Sequence, residues 1–167
     1  KFSKLKKFRN WLHDHRLFHL FYKRVIYGLY ARNYRYITGP IRILPNFIII
    51  GCQKCATTSL YDYISEHPNV YPATEKEIHF FDSNFFIGLN WYRSFFPSLF
   101  SKYLYGHNKK FLTGEASPMY VFSTLAPERM SKILPKVKLI LILRNPIDRA
   151  YSHYSMQKRN NYEKLNF

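Results

Sequence analysis

The chain has 167 residues, of which 47% are hydrophobic and 19% aromatic, enough to fill one substantial core and too many for a disordered or fibrous chain. Its formal charge of +16 is uneven, because residues 1–42 carry 11 Lys and Arg against a single acid, Asp14, so that +10 sits in that stretch and +6 on the remaining 125 residues. No uninterrupted apolar run approaches the ~18 residues of a membrane-spanning helix, so the chain is expected to be soluble or peripheral.

In chain order, Phe2, Leu5, Phe8, Leu12, Val25, Ile26 and Leu29 recur near helical spacing among Lys and Arg, predicting one or two amphipathic helices that Thr38-Gly39-Pro40 breaks. Such a basic segment is either a solvated helix flanking a domain or a surface for anionic lipid or nucleic acid. Nothing in it reads a base, so no nucleic-acid partner is expected, while peripheral membrane contact through residues 1–43 stays open. From Leu44 the texture changes. The run Phe47-Ile48-Ile49-Ile50-Gly51 predicts a buried parallel strand, and 57–66 predicts a helix that His67-Pro68 closes. The aromatic-rich stretch 80–100 shows no period beyond a short helix near 90–96. A second strand is expected at 111–114, a helix at 127–134 with Pro127 in its first turn, a buried strand at 138–143 and a helix at 146–157. Strands alternating with helices predict an α/β fold built on a parallel sheet, with a boundary between 43 and 44.

Cys52 and Cys55, the two cysteines of the chain, stand in a C-x-x-C spacing that suits a redox pair or half of a zinc site. Further zinc ligands at matching spacing are absent from the sequence, so no metal is expected. Two cysteines do not form a disulfide framework, and a reducing compartment is the default.

Three segments carry chemistry. Gly51-Cys52-Gln53-Lys54-Cys55-Ala56-Thr57-Thr58-Ser59-Leu60 lies between a strand and a helix. Backbone N–H groups at a helix N-terminus, the Lys54 charge and the Thr57 and Thr58 hydroxyls suit a phosphate. The lysine is misplaced for a nucleoside-triphosphatase loop, where it precedes the magnesium-binding Ser/Thr directly. In Lys76-Glu77-Ile78-His79-Phe80-Phe81-Asp82, Glu77 and His79 lie two apart and share a face if the backbone is extended, each able to take a proton; a surface Glu beside a hydrogen-bonded His fits equally well. In 143–154, Arg144 ends a strand and Ser152 lies two turns along the next helix, and an arginine fork suits phosphate. Asp148 and Arg149 read as first-turn and surface charges.

Together, in this order, these segments resemble the sulfotransferase family, particularly the branch of heparan sulfate N- and 3-O-sulfotransferases and their bacterial relatives. The similarity runs from Leu44 to the last residue and includes Gly88-Leu89-Asn90-Trp91-Tyr92, Gly114-Glu115-Ala116-Ser117-Pro118 and Ala126-Pro127-Glu128-Arg129. It implies a three-layer, P-loop-NTPase-like parallel sheet flanked by helices, preceded by the basic helical segment 1–43, with 44–167 the N-terminal portion of a catalytic domain that continues further in the family. It implies 3′-phosphoadenosine 5′-phosphosulfate as donor and no metal. Gly51, Lys54, Ala56, Thr57, Thr58 and Ser59 match the 5′-phosphosulfate loop, with Lys54 also neutralising the leaving phosphate; Arg144 and Ser152 match the 3′-phosphate pair. Glu77 matches the catalytic base, with His79 beside it. Lys76, Glu115 and Ser117 are weaker acceptor-binding candidates. The acceptor is expected to be a carbohydrate or small metabolite. An inactive nucleotide-binding homologue or scaffold is the alternative. The compartment would be the cytoplasm for a bacterial chain and the Golgi lumen for a eukaryotic relative. Family loops place Gly before the Thr pair where this chain has Ala56, whose methyl group is tolerable at negative φ and costly at positive φ.

Overall fold

The computed structural model describes residues 28–105 and 110–167. The apolar periodicity of 1–27 lies outside the described residues. Helix α1 (Gly28–Ile37) is followed by a 3-10 turn at Gly39–Ile41, as the Thr38-Gly39-Pro40 break predicts. Two arginines tie this segment to the turn at 94–96. Arg35 donates from Nε to the Ser94 carbonyl (2.5 Å) and from Nη2 to that of Phe96 (3.1 Å), and the buried Arg42 donates from Nη1 to Phe96 (2.8 Å). Part of the basic charge therefore satisfies backbone carbonyls, and these bonds cross the 43/44 boundary.

Three strands form a parallel sheet in the order β2-β1-β3: β1 (Phe47–Gly51), β2 (Gly114–Ala116) and β3 (Lys138–Ile142). Parallel neighbours need crossovers, and helices supply them: α2 (Thr57–Ser65), α3 (Leu89–Arg93) and α4 (Leu99–Tyr105) between β1 and β2, and α5 (Ala126–Ile133) between β2 and β3. Helix α6 (Pro146–Arg159) comes after β3, capped by Asn145, whose Oδ1 accepts from Ile147 N (2.9 Å), with Pro146 at its first position. The α/β sheet flanked by helices is the fold expected.

Side chains alternate across β1. Ile48 faces an aromatic layer containing Phe80, Phe81, Trp91, Tyr92, Phe96 and Tyr120, in which Phe80 stacks on Tyr92 with centroids 4.4 Å apart and Phe81 meets Tyr92 edge-on at 5.3 Å. Phe47 and Ile49 face Tyr61 of α2 on the other side. The stretch 80–100 has no clear period because it is a chain of turns and short helices held by ring packing rather than by one amphipathic face.

Two strand assignments change. The second strand begins at Gly114, where 111–114 was expected. Residues before it pair elsewhere, Tyr71 N donating to Leu112 O (2.8 Å) and Leu112 N to Asn69 O (2.9 Å). The strand at 138–143 was expected to be buried, but Leu139 and Leu141 are about half exposed. Strand β3 pairs with β1 alone and lies at the sheet edge among the described residues.

Candidate functional site

Strand β1 delivers the chain to the cleft at Gly51. Its φ is +154°, and a Cβ there would collide with the carbonyl oxygen of Ile142 on β3, so the strand leaves the sheet hard against its neighbour, as only glycine allows. The next four residues turn back on themselves, Cys55 N donating to Cys52 O (3.2 Å). That turn brings the two Cα atoms to 5.6 Å, within bridging range, and a disulfide joins Cys52 to Cys55. The bridge removes the cysteine ground for assigning a reducing compartment and ties off the loop that carries Lys54.

The loop is bent into left-handed backbone. Among the described residues five other than glycine have positive φ, and four of them are Lys54 (69°), Ala56 (64°), Glu77 (54°) and His79 (54°). A residue with a Cβ held there costs ~1–2 kcal/mol, so two of the three segments singled out for chemistry are also where backbone strain collects. Ala56 takes the costly alternative. Ala56→Gly is therefore expected to stabilise the fold by ~1 kcal/mol, read as a rise in midpoint of urea unfolding with unchanged slope; an unchanged or lower midpoint would show that the methyl group carries no strain.

Ala56 is the N-cap of α2 and has no side chain with which to bond the first-turn amides, which leaves that helix end open to an anion. Gln53, Lys54, Ala56, Thr57, Thr58 and Ser59 line a cavity of about 380 Å³ together with Glu77, Pro118 and Met156. The fold thus brings the loop between β1 and α2 and the candidate base Glu77 into one space. Gln53, Pro118 and Met156 cannot be singled out from sequence, because neither an amide nor an apolar side chain signals chemistry by type.

Glu77 and His79 do approach one another, Glu77 Oε2 lying 3.8 Å from His79 Nε2. The expected extended backbone is absent: left-handed residues at both positions aim the side chains together instead. Glu77 N donates to Ala116 O (3.0 Å), fixing the segment to the end of β2. The other ring nitrogen of His79, Nδ1, lies 2.8 Å from Asp82 Oδ2. A carboxylate on one nitrogen orients the ring and leaves the other nitrogen toward Glu77; His79 itself is outside the cavity lining. Sequence reasoning missed Asp82, although its i+3 spacing from His79 was visible.

Arg144 does not line the cavity, but its Nη1 donates to the Lys54 carbonyl (3.3 Å), linking the end of β3 to the loop. Ser152 is half-buried on α6, outside the cavity lining. Lys76 pairs with Asp62 of α2 and stands over the Tyr61 ring, also outside it. Glu115 and Ser117 are fully buried, so their side chains face the core rather than an acceptor.

Glu115 lies in β2 with hydroxyls around it. Tyr92 Oη donates to Oε1, Ser117 Oγ to Oε2 (2.8 Å) and Tyr120 Oη to Oε1 (3.3 Å). Burial pushes its carboxyl up to about 7, opposed by these hydrogen bonds and by His79. The raised value fixes the sign of its pH effect. Between the ordinary carboxylate range and about 7 the unfolded chain ionises while native Glu115 keeps its proton, so stability falls as pH rises through that window, by ~3 kcal/mol in total. Glu115→Gln is expected to flatten this descent in urea unfolding measured from pH 4.5 to 8; a descent of the same size in the variant would assign it elsewhere.

Residues 44–166 match the sulfotransferase domain family. Membrane-associated sulfotransferase kil1 of Dictyostelium discoideum is 38% identical over 135 residues, covering 78% of this chain and 28% of that protein. Human bifunctional heparan sulfate N-deacetylase/N-sulfotransferase 1 is 40% identical over 120 residues, 68% of this chain and 13% of that protein. The crystal structure of a sulfotransferase from Alicyclobacillus acidocaldarius superposes with a TM-score of 0.57 at 34% identity, covering 74% of this chain and 54% of that one. The chain thus spans about half of that structure and less than a third of these two relatives. Because the domain match takes in both the loop after β1 and the helix after β3, the chain belongs to the sulfotransferase family.

Proposed function

We propose that this protein transfers a sulfuryl group from 3′-phosphoadenosine 5′-phosphosulfate to a hydroxyl or amino group of a carbohydrate. The observation that carries the reading is the cavity in which Lys54, Thr57, Thr58 and Ser59, at the N-terminus of α2, meet Glu77. The loop and helix end hold the 5′-phosphosulfate of the donor, with Lys54 as the point charge. Arg144 and Ser152 take the 3′-phosphate. The acceptor oxygen or nitrogen attacks sulfur in line, its bond to sulfur forming as the bond from sulfur to the bridging oxygen breaks. The acceptor proton passes to Glu77, and the electron pair of the broken bond stays on the phosphate, where Lys54 and the helix amides stabilise it. His79, oriented by Asp82, steadies Glu77 or the acceptor.

A carbohydrate acceptor is favoured by the heparan sulfate N-sulfotransferase relatives. The +10 charge of residues 1–42 suits an acidic polysaccharide or the peripheral membrane contact suggested by the name of the Dictyostelium relative. No helix among the described residues is long and apolar enough to cross a membrane. One observation favours the alternative of an inactive nucleotide-binding homologue: Ala56 sits at positive φ where the family has Gly.

The test is incubation with sulfur-35-labelled donor and a panel of N-desulfated heparan sulfate, a neutral oligosaccharide and a small amine. Label on a carbohydrate, lost in Glu77→Gln, is expected. Donor binding with label on no acceptor would favour the inactive homologue, and label on the amine alone would move the acceptor class.

A further inference from the structure

The buried carboxylate of β2 takes no part in the sulfuryl transfer itself, yet two of the hydroxyls that donate to it also receive the catalytic segment. Ser117 Oγ, which donates to Glu115 Oε2 (2.8 Å), accepts from His79 N (3.4 Å). Tyr120 Oη, which donates to Glu115 Oε1 (3.3 Å), accepts from Phe80 N (2.8 Å). Asn84 Nδ2 donates to Ile78 O (3.0 Å). We propose that Glu115 is a positioning residue which, through Ser117 and Tyr120, holds the 77–80 backbone in the left-handed shape that brings Glu77 and His79 together.

Proton direction couples the carboxylate to the segment. An ionised carboxylate can only accept, so it draws the Ser117 and Tyr120 protons inward and leaves oxygen lone pairs for the two amides. A protonated or amidated side chain must donate to one of these hydroxyls, whose own proton then needs another partner in a site without water-exposed alternatives. Left-handed backbone at Glu77 and His79 is unfavourable by itself, so loosening these anchors lets the segment relax and moves the base off line. The titratable groups facing Glu115 are Tyr92 from α3, Tyr120 from the turn after β2, His79 from the catalytic segment and, at longer range, Tyr61 from α2. Among the described residues no Lys or Arg forms a salt bridge with it. Burial raises the tyrosines, whereas Glu115 is pushed up only to about 7.

The inference rests on the proposed role of Glu77, and its test has one arm that needs neither donor nor acceptor. The amide resonance of Phe80 is followed by 15N–1H NMR from pH 5 to 9 in wild type, in Glu115→Gln and, to remove the imidazole, in His79→Gln. A titration near pH 7 that survives His79→Gln and vanishes in Glu115→Gln is expected. The second arm measures product-nucleotide binding and label transfer. Glu115→Gln should bind 3′-phosphoadenosine 5′-phosphate within about twofold of wild type while turnover drops ~10- to 100-fold, the scale of a small misplacement of reacting groups. Should Glu115→Gln fail to fold, Ser117→Ala, which keeps the carboxylate and cuts the link to His79, should show the same split with a smaller drop. A Phe80 titration that persists in Glu115→Gln, turnover equal to wild type in a folded variant, or donor affinity falling in step with turnover would each overturn the positioning role. A wild type that shows the titration but binds no donor would instead count against the sulfotransferase reading alone.

Discussion

Glu77→Gln is expected to lower turnover by ~10²- to 10⁴-fold, the range for removing a positioned general base, while leaving the affinity for 3′-phosphoadenosine 5′-phosphate within about twofold. The substitution keeps the size and most of the polarity of the side chain, and the backbone bond from residue 77 N to Ala116 O does not depend on it. What it removes is the ability to receive the acceptor's proton. The proposed nucleotide contacts are other residues lining the cavity, Lys54 and the first turn of α2, and should persist. Single-turnover label transfer alongside calorimetry separates the two effects. A parallel loss of both would mean that Glu77 shapes the donor site rather than acting as base.

The second large effect is expected at Lys54 and differs in kind. Lys54→Ala keeps a Cβ at the left-handed position, so the loop conformation is no more strained than before, but the cation proposed to face the 5′-phosphate is gone. A charged hydrogen bond of ~1.5–3 kcal/mol corresponds to roughly 10- to 100-fold weaker binding of the product nucleotide. Arg144 complicates its own variant in a useful way. Its Nη1 donates to Lys54 O, so Arg144→Ala can weaken binding either by losing the 3′-phosphate or by freeing the loop. ADP, which lacks the 3′-phosphate, separates these routes. Loss of the direct contact shrinks the preference for 3′-phosphoadenosine 5′-phosphate over ADP, whereas a displaced loop weakens both nucleotides alike.

Much of the scaffold was legible because its signals are local and redundant. The apolar run ending at Gly51, the helix closed before His67-Pro68 and the Pro146 helix start each combine pattern with a breaker or cap. Strand β2 is harder to place because its central residue is Glu115, and a carboxylate inside a parallel strand opposes the apolar pattern used to find such strands. Only the hydroxyls of Tyr92 from α3 and of Ser117 and Tyr120 from the turn after β2 make that position tenable. The shape of the site was less legible than its residues. Lys54, Ala56, Glu77 and His79 adopt positive φ although none is glycine; at 77–80 the shape is held by tertiary bonds such as those from His79 N and Phe80 N. For the same reason the two-residue spacing of Glu77 and His79 suggests an extended backbone that the chain does not have. The Cys52 and Cys55 spacing was visible, but the turn that closes it was not.

If the loop between β1 and α2 holds a nucleotide carrying both 5′- and 3′-phosphates, calorimetric titration of the folded chain with 3′-phosphoadenosine 5′-phosphate, with ADP and Lys54→Ala as controls, should reveal it. Saturable binding that prefers the nucleotide bearing the 3′-phosphate to ADP and weakens in Lys54→Ala is expected. Equal affinity for the two nucleotides, or binding indifferent to Lys54, would contradict the assignment.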